Sequence, residues 1–97
     1  MNLKEFKKMN NINLRLLSQY VPIVARVHGE HHPEFHVVHS LFNEMMTILT
    51  KEIDYDLHTV FEKLRVVTDN YHVPEDVCET YEAVYRMLKE LDASYYS

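Results

Sequence analysis

Apolar side chains recur at helical spacing along most of this chain. Between Asn11 and His28, the residues Leu14, Leu17, Val21, Val24 and His28 fall on one face at i, i+3, i+4 intervals, flanked by Leu16, Tyr20, Ile23 and Val27. Pro22 lies inside this run, where it removes one backbone hydrogen bond and predicts a kink. Gly29 follows His28 as a natural C′ residue. A second stripe, Phe35, Val38, Phe42, Met45 with Met46, Leu49, Ile53, Val60, Leu64 and Val67, opens at His32-Pro33. Proline suits the first helical position, and Glu34 suits the positive helix end. No stop signal stands between Pro33 and Asp69, so the pattern predicts one central helix of about 36 residues, about 54 Å long. After a loop at Asp69 to Val73, a third helix opens at Pro74-Glu75-Asp76 and carries Val77, Tyr81, Val84, Leu88, Leu91 and Tyr95 on one face. Residues 1–10 read as a polar, flexible N-terminal segment, and residues 11–97 as a single helical domain.

These lengths do not match. The first helix is about 27 Å long and the third about 33 Å, so the central rod is about as long as both together. Short neighbours folding back from its two ends cover different halves of it. A lone chain would leave apolar stripes half covered at each end, which calls for a partner.

Composition narrows the setting. Hydrophobic residues make up 46% of the 97, enough for the core of one small domain. One glycine and three prolines leave few turns, which favours long helices over many strands. The formal charge of −5, with no basic run beyond Lys7-Lys8, argues against a nucleic-acid partner. No apolar run approaches the roughly 20 residues that span a bilayer, and Met1 to Met9 lacks the apolar centre of a signal peptide. The single cysteine, Cys78, excludes an intrachain disulfide. Together these predict a cytoplasmic protein without a membrane partner.

The compositional anomaly is histidine. Five of the seven lie between His28 and His39. His28, on the apolar face, reads either as a metal ligand or as a histidine capping a helix C-terminus. His32, His36 and His39 stand at i, i+4, i+7, a spacing that can hold zinc, nickel or iron, with a solvated histidine face as the alternative. Glu52 and Asp56 are i, i+4 carboxylates suited to iron or manganese, or else part of an acidic strip with Asp54. Cys78 sits in the first turn of the third helix, where a thiolate is favoured, or serves as a structural cysteine. No Ser/His/Asp order, glycine-rich phosphate loop or Cys-x-x-Cys pair is present, so no catalytic residue is assigned.

Two stretches carry a resemblance. Val27-His28-Gly29-Glu30-His31-His32-Pro33-Glu34-Phe35 with Leu41-Phe42, and Leu64-Arg65-Val66-Val67-Thr68-Asp69-Asn70-Tyr71-His72-Val73-Pro74-Glu75-Asp76-Val77-Cys78-Glu79-Thr80-Tyr81 with Leu88-Lys89-Glu90-Leu91, resemble the hemerythrin-like domain of the iron–sulfur cluster repair di-iron proteins. The resemblance covers about residues 12–92. It implies a four-helix bundle with two irons between its helices, and a role in repair of iron–sulfur centres under nitric oxide or oxidative stress. His28 matches a ligand histidine of that family, and Glu52 and Asp56 fall where the family has His-x-x-x-Glu. The earlier histidine of the first helix, the loop between family helices two and three, and the Glu-His-Asp motif are lacking, and the last family ligands would begin just after Ser97. The implied reading is a truncated member with an incomplete di-iron ligand set, His28, His32, Glu52 and Asp56 being the metal candidates. Any activity would be metal-dependent. The missing loop implies that two family helices are fused, leaving three helices per chain. The expected remedy is a helix-swapped homodimer that rebuilds four-helix bundles, with a full-length family member or iron–sulfur proteins as further partners. The rival reading is a metal-free helical interaction or regulatory module that dimerises or pairs with a full-length relative.

Overall fold

The computed structural model describes residues 2–51 and 56–97. Among these residues the chain forms five helices and no strand: α1 (Leu3–Met9), α2 (Asn11–His28), α3 (Glu34–Lys51), α4 (His58–Val67) and α5 (Glu79–Tyr95). The all-α expectation holds; the three-helix arrangement with one long central rod does not.

The rod is divided. α3 is described as far as Lys51, and Asp56 and Leu57 lie outside any helix before α4 begins at His58. Asp56 Oδ1 accepts the His58 backbone N–H at 3.1 Å, a side-chain turn that opens the new helix. Leu57 is fully buried, and its N–H donates to the Tyr95 hydroxyl at 2.9 Å. A helix of about 36 residues would be about 54 Å long, whereas the longest dimension of the molecule is 37 Å. Apolar spacing alone hid the break, because Leu57, Val60, Phe61 and Leu64 continue a helical period on its far side.

With the rod divided, four helices close around one core within a single chain. α2 packs on α3 and α5, and α3 packs on α4. α4 meets α5 through Phe61 against Tyr95, and through Arg65, which donates to Asp92 at 2.8 and 2.5 Å. The buried set is largely the predicted one: Leu14, Leu17, Val21 and Val24 from α2, Phe35, Val38, Phe42, Met45 and Leu49 from α3, Val60 and Leu64 from α4, and Tyr81, Val84, Leu88 and Leu91 from α5, with Phe61 an addition that the stripe did not include. The geometric need for a second chain, which followed from an unbroken rod, does not arise.

Three local expectations are also revised. The N-terminal segment is a helix, capped by Asn2, whose Oδ1 accepts the Glu5 N–H at 2.8 Å. Phe6 anchors it, fully buried and edge-on to Phe61 and Tyr95; one aromatic in ten residues leaves no periodic trace. The last helix starts at Glu79, with Cys78 as its N-cap residue and not inside its first turn. Residues 74–78 are non-helical because Val73 and Val77 pack against the core and Asp76 is drawn to His32. Gly29 has φ −60°, the right-handed helical region, and not the left-handed C′ conformation. Its lack of a side chain serves space: a Cβ there would run into the Ala25 carbonyl and the His36 imidazole.

No helix of the described residues is long and apolar enough to cross a membrane.

Candidate functional site

One end of the bundle gathers most of the candidate chemistry. α2 ends at His28, and the turn folds tightly, with the His32 N–H donating to the His28 carbonyl at 2.8 Å. This turn faces the segment leading into α5. His28 Nε2 lies 3.2 Å from Cys78 Sγ. Four residues on, His32 has a carboxylate at each ring nitrogen, Glu34 Oε1 at 2.9 Å from Nδ1 and Asp76 Oδ1 at 3.1 Å from Nε2. The two imidazole centroids are 6.5 Å apart, and both rings stand edge-on to Tyr81, at 5.4 and 5.6 Å. Tyr81 is fully buried beneath them, its hydroxyl 3.1 Å from that of Tyr85.

Electrostatics follow from these contacts. Partial burial works to lower the His32 pKa, but the hydrogen bonds to Glu34 and Asp76, with their negative charge, prevail and hold it above the usual value of 6.5. The Tyr81 hydroxyl is pushed far up by burial, then by its bond to Tyr85 and the nearby charges of Glu34 and Asp76, so it is neutral at any ordinary pH.

Of the predicted ligands, His28 and His32 come together and Asp56 does not join them. His32 precedes α3 and Asp56 follows it, so the 18-residue helix, about 27 Å long, separates the two. Asp56 is engaged as the turn-forming residue of α4. Glu52 lies outside the described residues. His36 is exposed with its ring against Gly29, and His39 is half-buried.

A di-iron centre of the bundle type needs histidines and carboxylates projecting into the interior. The described core offers two buried polar side chains, Thr68 and Asp92. Thr68 Oγ1 donates to the Leu64 carbonyl at 2.6 Å. Asp92 is held by Arg65 and by the Tyr71 hydroxyl at 2.6 Å. Phe35, Met45, Tyr81 and Leu88 fill the remaining space. The described residues therefore do not fit a di-iron group in the bundle core. Among them, no three His, Cys, Asp or Glu side chains stand close enough in this conformation to hold a metal ion.

A second feature lies on the outer side of α3 and α4. Val37, Leu41, Val66 and Val67 line an open apolar groove with Glu62 and Lys63 at its rim. Val66 is 83% exposed and Val37 48% exposed. Sequence reasoning passed over this groove, although the adjacent pairs Val37-Val38 and Val66-Val67 carried a signal: neighbours on a helix point about 100° apart, so both members cannot face the core squarely. The His28–Cys78 and His32–Asp76 contacts, spanning 50 and 44 residues, had no local signal.

Compared with known proteins, the chain matches no family model, no curated protein and no solved structure.

Proposed function

We propose that this chain is a helical interaction module that associates with a second copy of itself through the outer face of α3 and α4. The observation that carries the reading is Val66, 83% exposed beside Val37 in an apolar groove. Burying such a patch removes apolar surface from water at roughly 25 cal/mol per Å². The rim argues for a self-complementary contact. Glu62 and Lys63 are adjacent on α4, so a two-fold that lays α4 antiparallel on its copy sets acid opposite base. Each chain closes its own bundle, so such a dimer needs no exchange of helices.

The iron-handling role implied by the resemblance would need ligands that the described core does not supply. The test of the interaction reading is light scattering across a micromolar concentration series with rim charges reversed. The wild type dimerises, Glu62→Lys weakens the dimer by placing like charges together, and Glu62→Lys combined with Lys63→Glu restores it. A wild type that stays monomeric throughout, or a dimer indifferent to both changes, overturns the proposal.

A further inference from the structure

We infer that the histidine-rich end of the bundle is a binding site for a borderline divalent cation of the zinc class, held by His28, Cys78, His32 and Asp76. The donor set is N, S, N, O, the mixture that zinc accepts and that magnesium or calcium does not. The donors are arranged in two pairs, each joining the turn after α2 to the segment before α5. His28 Nε2 and Cys78 Sγ are 3.2 Å apart, and His32 Nε2 and Asp76 Oδ1 are 3.1 Å apart. In a tetrahedral zinc site the edge between a nitrogen and a sulfur ligand is roughly 3.5 Å, and that between nitrogen and oxygen roughly 3.4 Å. Each pair already sits near the spacing of two ligands on one ion.

What separates this arrangement from a formed site is the gap between the pairs. The imidazole centroids are 6.5 Å apart. Two imidazoles on one tetrahedral ion have centroids roughly 5 Å apart, so the two rings must approach by about 1.5 Å. The elements that must move are short. His28 and His32 are joined by the three-residue turn Gly29-Glu30-His31, and Asp76 and Cys78 lie in the non-helical segment before α5. Cys78 and Asp76 are exposed, which gives an ion access without opening the bundle. Glu34, on His32 Nδ1, is placed as the outer carboxylate that orients a ligating histidine and raises its basicity.

This site is distinct from a di-iron centre in the core and independent of the α3–α4 face. The test is titration of metal-free, reduced protein with Zn2+ by calorimetry, with Co2+ as a second probe whose spectrum reports thiolate ligation. One ion binds per chain, cobalt develops a sulfur-to-metal charge-transfer band, and zinc raises the melting temperature. Cys78→Ser, His28→Ala and His32→Ala each weaken zinc binding roughly 10-fold or more, and Cys78→Ser also removes the band. His39→Ala and His58→Ala, outside the cluster, leave affinity unchanged. Circular dichroism of each variant confirms its helix content, so lost binding is not lost folding. Absence of zinc binding to the folded wild type, or binding that Cys78→Ser and His28→Ala leave intact, overturns the inference.

Discussion

The imidazole of His32 and the carboxylate of Asp76, separated by 44 residues in sequence, lie 3.1 Å apart and fasten the turn between α2 and α3 to the segment that leads into α5. The second ring nitrogen of His32 faces Glu34 at 2.9 Å. A neutral imidazole donates from one nitrogen only, whereas the imidazolium donates from both. The clasp is therefore complete when His32 is protonated, consistent with its raised pKa.

This sets a pH dependence. A histidine whose pKa is raised on folding stabilises the native state fully below its unfolded value near 6.5, and that contribution is lost as pH rises through the higher folded value. In metal-free protein, the melting temperature should fall as pH is raised through that window, and His32→Gln should flatten this part of the profile. A wild-type profile unchanged by His32→Gln would show that the clasp does not contribute.

Gly29 tests the packing of the same turn. Its φ of −60° suits any residue, so alanine is disfavoured only by the space it would occupy. The added methyl meets the Ala25 carbonyl and the His36 ring. Gly29→Ala should destabilise by about 1–3 kcal/mol in urea unfolding. Adding His36→Ala should recover part of the loss, because the ring contact disappears while the backbone contact remains. A stabilising Gly29→Ala, the outcome expected from helix propensity alone, would contradict the packing account.

Much of the core was legible from period alone. Leu14, Leu17, Val21 and Val24 are buried as their spacing requires, and so are Tyr81, Val84, Leu88 and Leu91. The helix break was not legible. Its signals are one aspartate that accepts a single N–H and one leucine N–H held by a tyrosine hydroxyl 38 residues away. Local capping chemistry is weak compared with a continuing apolar stripe, and only tertiary contact decides between them. The candidate site divides in the same way. His28 and His32 stood out by residue type, but their partners Cys78 and Asp76 arrive through the fold. Asp56 was read as a ligand from its i, i+4 spacing with Glu52 and from the resemblance; its carboxylate accepts the His58 N–H at the start of α4.

The role of Asp56 gives a stability prediction. Asp56→Ala removes the side-chain acceptor for the His58 N–H and should lower stability by about 1 kcal/mol, while Asp56→Asn, which keeps an acceptor oxygen, should lower it less. Equal losses from the two substitutions in denaturant titrations would mean that the charge, and not the turn, is what matters there.

The N-terminal helix provides a further check. Phe6 is fully buried between α1 and the Phe61–Tyr95 contact. Phe6→Ala should cost about 3 kcal/mol, the usual order for deleting a buried aromatic ring. It should also speed amide exchange throughout α1. A loss below about 0.5 kcal/mol, the range of an ordinary surface substitution, would return residues 1–10 to the status of a flexible leader.

The central proposal, association through the α3–α4 face, is tested most directly by sedimentation equilibrium of the wild type beside Val66→Glu. Val66 makes little contact within its own chain, so the substitution leaves the bundle folded while placing a charge in the contact. The account predicts a wild-type dimer at micromolar concentration and a monomeric Val66→Glu with an unchanged circular dichroism spectrum. A Val66→Glu protein that dimerises as tightly as the wild type would contradict it.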